Sequence, residues 1–320
     1  KQILEISKQF DSKYANYLFR DKSMIGFYVI SSKGIGTIQR NLFYPFIRTI
    51  PVLMPPLPEQ KHISNYLGQK TQQIDSLIEK AEQKIELLNE QRISLINTTV
   101  TKGLDPNIKM KDSGVEWIGE IPSAWTTKRM CYVFKTISIN NTSNELNLSV
   151  YRDYGVILTD SRDDNRNVIS EDISNYKLVE VGDFVMNKMK CWMGSLGLSD
   201  YRGIVSPSYT VMKPLIKNVH RYIHYLLRSN IYIPQYKRLS YGVRIGQWDL
   251  RFEDFRNLPC IIPPLLEQQQ IVEYLDKKIV AIDRLKDNES KRIDLLNEYR
   301  QALISEVVTG KIDVRNEVFT

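Results

Sequence analysis

Cysteine is scarce in this chain: three residues, Cys131, Cys191 and Cys260, lie far apart among 320. An odd number with no close pair excludes a disulfide framework and the paired-thiol spacing of a zinc site, and points to a reducing cytoplasm. Long apolar runs are missing too. No stretch of about 18 apolar residues occurs, and Lys1, Lys8, Asp11, Lys13, Arg20, Asp21 and Lys22 put charge throughout the start, so neither a membrane span nor a signal peptide is expected. With 15 glycines and 13 prolines, the chain has too few of either for a collagen-like or low-complexity architecture.

Catalytic signatures are equally sparse. There is no phosphate-binding GK[ST] loop, and no Asn-Pro-Pro-Tyr or Asp-Pro-Pro-Tyr segment of the kind found in amino-methyltransferase catalytic loops. The segment Gly34-Ile35-Gly36-Thr37-Ile38-Gln39 lacks the third glycine of a dinucleotide fingerprint. His220 and His224 have metal-ligand spacing on a helix, but no third ligand and no intervening Glu accompany them. Asp160, Asp163 and Asp164 lack the companion residues of a Mg²⁺ nuclease site. The expectation is a non-enzyme that holds no metal and no cofactor of its own.

What the chain does have is a globular balance, 42% hydrophobic and 25% charged residues, and enough length for roughly two domains. It also has an internal repeat. Pro55-Pro56-Leu57-Pro58-Glu59-Gln60 returns as Pro263-Pro264-Leu265-Leu266-Glu267-Gln268, an offset of 208. At the same offset and without a gap, Tyr66-Leu67 meets Tyr274-Leu275, Ile74-Asp75 meets Ile282-Asp283, and Leu87-Leu88-Asn89-Glu90 meets Leu295-Leu296-Asn297-Glu298. More than two-fifths of positions 57–105 are identical to their counterparts. Weaker matches reach upstream, with Tyr14, Tyr17, Leu18 and Arg20 opposite Tyr222, Tyr225, Leu226 and Arg228. By this register the chain is one and a half repeats, and about the first hundred residues of repeat one, those equivalent to 109–208, are expected to be missing through truncation.

Each repeat ends in a long amphipathic stretch. Leu67, Ile74, Leu77, Leu88 and Leu95 in one, and Leu275, Ile282, Leu285, Leu296 and Leu303 in the other, recur at helical spacing. The preceding prolines block helix, while Glu59 and Glu267 suit a positive helix start and Gly103 and Gly310 a stop. Helices over 59–102 and 267–309 would each span about 65 Å at 1.5 Å per residue. A helix of that kind cannot bury its stripe alone, so the two should pair as an antiparallel coiled coil through Leu67, Ile74, Leu88, Leu95, Leu275, Ile282, Leu296 and Leu303.

Between them, 109–258 reads as a mixed domain. Val150-Tyr151, Val156-Leu158, Phe184-Met186 and Tyr209-Met212 are β-forming, with a helix near Val219 to Ser229. The expected fold class is therefore α+β: mixed α/β globular parts joined by two long paired helices. Four segments follow: 1–50 as the remnant of a first globular domain, 51–108 as a helix, 109–258 as an intact domain, and 259–320 as the second helix.

The net charge of +7 is unevenly placed: the helical segments 51–108 and 259–320 carry net −3, the globular segments net +10. Over 186–246, ten basic residues face the single acid Asp200. Such asymmetry suits phosphate neutralisation. Lys188, Lys190, Arg202 and Arg244 are candidate phosphate contacts, Asn187 and Gln247 carry amides able to read base edges, and Trp192 and Tyr241 interleave with them. Arg162 and Arg166 lie in a polar loop, 160–167, that is either a further contact or a solvated turn.

The PPLPEQ and PPLLEQ starts, the helix ends TKGLD and TGKID, and the opening Asp112-Ser113-Gly114-Val115-Glu116-Trp117-Ile118-Gly119-Glu120-Ile121-Pro122 together resemble the specificity subunit of type I restriction-modification systems. Trp192-Met193-Gly194-Ser195-Leu196-Gly197 and Gly203-Ile204-Val205-Ser206-Pro207-Ser208-Tyr209 share the resemblance, which covers essentially the whole chain. It implies a non-catalytic subunit with two target recognition domains, each gripping one half of a bipartite site on double-stranded DNA. It also implies docking of methyltransferase (M) and restriction (R) subunits, with S-adenosylmethionine, ATP and Mg²⁺ belonging to those partners. With most of its first recognition domain missing, this chain is expected to read a half-site; self-association is a further expectation. The competing reading is a coiled-coil scaffold without specific DNA binding.

Overall fold

The computed structural model describes residues 8–33, 41–42, 44–140, 145–161, 173–242 and 248–317. In chain order the elements are α1 (Ser12–Arg20), α2 (Lys22–Ser31), the two-residue strands β1 (Ser32–Lys33) and β2 (Asn41–Leu42), α3 (Tyr44–Ile47) and the long α4 (Leu57–Lys102). Strands β3 (Met110–Asp112), β4 (Glu120–Pro122), β5 (Thr126–Arg129), β6 (Phe134–Ile137), β7 (Leu148–Tyr151) and β8 (Gly155–Leu158) follow. Next come β9 (Lys177–Val179), β10 (Phe184–Asn187), β11 (Leu196–Leu198), β12 (Gly203–Val205) and β13 (Tyr209–Pro214). The chain then runs through α5 (His220–Leu227), α6 (Ile233–Leu239), α7 (Phe252–Phe255), β14 (Pro259–Ile262) and the long α8 (Leu265–Val308). Among the described residues no helix is long and apolar enough to cross a membrane.

Two compact units result, one from Lys1–Leu88 with Asp283–Thr320, the other from Asn89–Ile282. Each long helix thus gives one half to each unit. In the first unit, Asp11 caps α1 by accepting the Tyr14 amide at 2.9 Å, and Asp21 caps α2 by accepting the Ser23 amide, meeting donors that a first helical turn leaves open. Ile63, Leu67 and Ile74 at the start of α4 pack with Leu303, Val307 and Val308 at the end of α8, so the two halves run antiparallel. Ion pairs Lys84 to Glu289 at 2.5 Å and Arg300 to Asp75 at 2.6 Å keep the same sense. Leu77 and Leu285, placed on the apolar stripe by periodicity, are more exposed than their neighbours because they lie at its margin.

In the second unit a four-stranded antiparallel sheet, ordered β11-β10-β13-β6, carries the core. Two-stranded pairs β7 with β8, β9 with β12, β3 with β4 and β5 with β14 surround it. Every residue of β10 is buried, as its run Phe184-Val185-Met186-Asn187 requires of a central strand covered on both faces. Trp125, Phe134, Tyr222, Tyr232, Tyr236 and Phe255 fill the space between sheet and helices. Val100 of α4 and Ile271, Leu275 and Ile279 of α8 join that same cluster. The compact unit is for this reason wider than 109–258: the helix ends are part of its core.

One pattern of hydrogen bonds occurs in both units at positions 208 apart. Gln60 Nε2 donates to Pro55 O at 2.7 Å while its Oε1 accepts the Asp11 amide at 2.8 Å; Gln268 Nε2 donates to Pro263 O at 2.9 Å while its Oε1 accepts the Val219 amide at 2.9 Å. The Tyr14 hydroxyl donates to Leu53 O and Val308 O, and the Tyr222 hydroxyl to Ile261 O and Val100 O. Glutamine at the fourth position of each long helix therefore ties its start to the short helix ahead of it.

Gln268 is 2% exposed. Replacing it with leucine keeps the bulk but leaves a buried amide and a buried carbonyl unpaired, a loss of about 2–4 kcal/mol. Urea denaturation of Gln268→Leu should show a lower midpoint with an unchanged slope; an unchanged midpoint would mean the two bonds contribute nothing net.

Candidate nucleic-acid interface

The end of β10 gathers most of the sequence-predicted contacts that lie among the described residues. From Asn187 the chain turns through Lys188–Lys190 into a 3-10 turn, Cys191–Met193, closed by Gly194 at φ +95°. A side chain at Gly194 would be strained by that φ and would meet Ile233 at 3.0 Å, so glycine is required there. The Leu250 amide donates to Lys188 O at 3.1 Å and docks a second segment alongside, where Tyr241 and Asp249 exchange backbone bonds. Trp192 and Trp248 meet edge to face with centroids 5.2 Å apart, and the Trp192 indole donates to Met189 O. Arg251 lies over the Tyr241 ring at 5.1 Å. Lys188, Lys190, Trp192 and Tyr241 are thereby brought to one edge, with Lys190 and Tyr241 exposed and Lys188 and Trp192 half-buried.

Lys177 adds to this edge from β9. Its ammonium donates to Pro207 O at 2.9 Å and Tyr209 O at 2.7 Å, and partial burial together with the charge of Lys188 lowers its pKa. Asn187 pairs in register with Tyr209 across β10 and β13. Burial, with Tyr151 and Tyr176 close by, raises the pKa of the Tyr209 phenol, which stays neutral and pinned. Asn187 is buried beneath this layer, so of the predicted contacts it is the one placed to orient neighbours more than to project. Sequence reading missed Lys177 because it lies outside the basic window and reaches the site through the pairing of β9 with β12 and its bonds to Pro207 O and Tyr209 O. Arg251 sits beside that window in sequence, and the aromatic-basic alternation there, with Tyr241 and Trp248, was the available signal.

Other members of the basic run are committed elsewhere. Arg202, another predicted contact, bridges Glu145 at 3.0 Å and Glu180 at 2.5 Å, acids 57 and 22 residues from it in sequence. Arg221 pairs with Asp200 at 2.9 Å. Arg228 donates to the carbonyls of Tyr151, Leu196 and Arg152, and desolvation pulls its pKa down to about 10. Arg162, Arg166, Arg244 and Gln247 lie outside the described residues, as do Asp163 and Asp164. Among the described residues no group of three or more His, Cys, Asp or Glu could hold a metal ion. His224 serves the packing instead, since its Nδ1 accepts the Leu198 amide at 3.1 Å beneath Gly155 and Gly197, and burial with Arg228 nearby drives its pKa well below 6.5.

Residues 122–295 match the family described as the type I restriction modification DNA specificity domain. The type I restriction enzyme MjaVIII specificity subunit of Methanocaldococcus jannaschii is 23% identical over 97% of this chain and 72% of its own length. Among solved structures, the HsdS subunit from Thermoanaerobacter tengcongensis aligns with a TM-score of 0.54 at 15% identity, covering 95% of this chain and 71% of that one. A chain solved in work on complex assembly and conformational transition of the type I R-M system aligns with a TM-score of 0.60 at 16% identity, covering 94% and 71%. Both likenesses concern the fold.

If the β10 edge meets phosphate, Lys177→Ala and Lys188→Ala should each lower the slope of log affinity against log salt by about one, and Arg202→Ala should leave it unchanged. Fluorescence anisotropy on duplex DNA across a salt series checks this, and equal slopes for all three variants would misplace the surface. A second expectation concerns acid. The unfolded chain takes a proton at His224 near pH 6.5 and the folded chain does not, so stability falls as pH drops below that value. Melting between about pH 7.5 and 5.5 should show this fall, and His224→Asn, which can still accept the Leu198 amide, should flatten it; an equally steep fall in the variant would assign it to other groups.

Proposed function

Because this chain belongs to the type I restriction modification DNA specificity family, we propose that its Asn89–Ile282 unit reads one half of a bipartite duplex site through the edge built at the end of β10. The chain is the DNA-recognising, non-catalytic specificity component of a type I restriction-modification system. In this reading Lys177, Lys188 and Lys190 set register on phosphates, Trp192 and Tyr241 give the edge a rigid aromatic floor, and the segment between Tyr241 and Trp248 supplies base contacts. The long helices carry the docking surfaces for methyltransferase and restriction subunits. S-adenosylmethionine, ATP and Mg²⁺ serve those subunits in the cytoplasm, while this chain holds none of them.

The observation that carries the reading is geometric: the Lys177 ammonium is held on Tyr209 O, opposite Asn187, so that it reaches the end of β10 where Lys188 and Lys190 follow. A scaffold without DNA contact offers no reason for that arrangement.

The test is selection from a randomised duplex pool, by the chain alone and with its methyltransferase subunit, at several salt concentrations. One short contiguous motif is expected for a single working unit. A bipartite motif would mean two reading units in the bound species, through the first unit or through association of two chains. Retention without sequence preference, or none even with the methyltransferase present, would favour the scaffold.

A further inference from the structure

The turn that leaves β10 offers few groups able to meet a base. Over residues 187–194 only Met189 and Lys190 are exposed. Asn187, whose amide suits base reading, is 7% exposed, and the Trp192 indole already donates its one hydrogen to Met189 O at 3.2 Å. Met189 is 51% exposed and stands in sequence between Lys188 and Lys190. Single exposed apolar residues are ordinary on a protein surface. Met189 differs by its place, as the one exposed uncharged side chain on a turn between two cations.

The backbone that presents it is held from both directions. The Asn187 amide donates to Ser195 O at 3.0 Å, the Lys190 amide to Asn187 O at 3.0 Å and the Met193 amide to Lys190 O at 3.0 Å, while Lys188 O accepts the Leu250 amide at 3.1 Å. A side chain carried on so fixed a turn is in place before a partner arrives, which lowers the ordering cost of binding. With about half of its surface covered, Met189 can touch a groove floor but cannot enter far between base pairs as a wedge does. Its thioether has no hydrogen to donate and accepts only weakly, so it neither neutralises a phosphate nor pairs with a polar base edge. In the major groove the bases present acceptors, amino donors and one apolar group, the C5 methyl of thymine. A flexible, polarizable side chain packs well on such a group.

We propose that Met189 is a specificity-determining residue that reads the C5 methyl group of a pyrimidine in the major groove, while Lys188 and Lys190 meet the phosphates around it. That methyl is carried by thymine, or by cytosine methylated at C5. The proposal rests on the DNA reading given above and adds to it a base preference set by apolar contact. Removing the methyl changes no hydrogen bond of the base pair, so the preference equals the gain from burying one methyl group, about fourfold in affinity.

The test uses the full chain with its methyltransferase subunit and begins with selection from the randomised duplex pool. The motif is expected to contain a methyl-bearing pyrimidine whose preference Met189→Gln abolishes, with the other positions unchanged, and which Met189→Leu keeps. Anisotropy on that motif then compares thymine with uracil, and 5-methylcytosine with cytosine, at the one position. Loss of the methyl should weaken the unaltered chain about fourfold in either comparison and leave Met189→Gln indifferent. The larger of the two effects names the pyrimidine. An equal penalty in both chains would overturn the proposal, as would Met189→Gln weakening all sequences alike or leaving every preference in place. These results leave the DNA reading standing, because the unaltered chain still selects a motif. Absence of any motif with the unaltered chain would overturn that reading, and the role of Met189 with it.

Discussion

The apolar stripes of α4 and α8 are the constraint from which the rest follows. Helices of 46 and 44 residues with so narrow a stripe gain little from packing against themselves, and their polar faces hold no stabilising core. In each unit the stripe of one helix is covered by the other, run in the opposite sense, and the remainder is covered by what the chain packs against the helix ends. The ion pairs along the seam are solvent-facing on at least one side, as with Lys84 at 53% side-chain exposure, so they fix register more than they add stability. Burial of Ile63, Leu67, Ile271 and Leu275 supplies the larger favourable contribution.

The charge distribution has a related logic. The basic run over 186–246 is not a uniform surface, because strand pairing brings acids from outside the run onto part of it. Glu145 and Glu180 neutralise Arg202, Asp200 holds Arg221, and main-chain carbonyls surround Arg228. Lys188 and Lys190 stand at the end of β10, with the partly desolvated Lys177 reaching the same region through Tyr209 O.

Much of this was legible in the residues because the signals were local. Two prolines followed by Glu-Gln mark the start of each long helix, and the 3.6-residue period of leucine and isoleucine marks the face that pairs. Runs of β-formers between turns mark β10 and β13. Pairing across long sequence separations was not legible. Nothing around Lys177 indicates that β9 will carry it to the end of β10, and nothing around Arg202 reveals two glutamates 57 and 22 residues away. His224 shows the converse error of spacing arguments: four residues from His220 it has the spacing of a ligand pair, whereas in the fold it accepts one backbone amide and is kept neutral by burial.

In both units the acceptors at the helix starts are main-chain carbonyls, those of Pro55 and Pro263 for glutamine and those of Leu53, Val308, Ile261 and Val100 for tyrosine. A carbonyl is present whatever side chain its residue carries. Preserving each junction through generations of copying therefore constrains one glutamine and one tyrosine per repeat and leaves the accepting positions free to drift. Leu53 and Ile261 differ in side chain yet both accept through their carbonyls, and Asp11 and Val219 differ yet both donate their main-chain amides to the glutamines. Two copies of an ancestral unit can in this manner lose most of their likeness in letters and still close on themselves by the same few contacts.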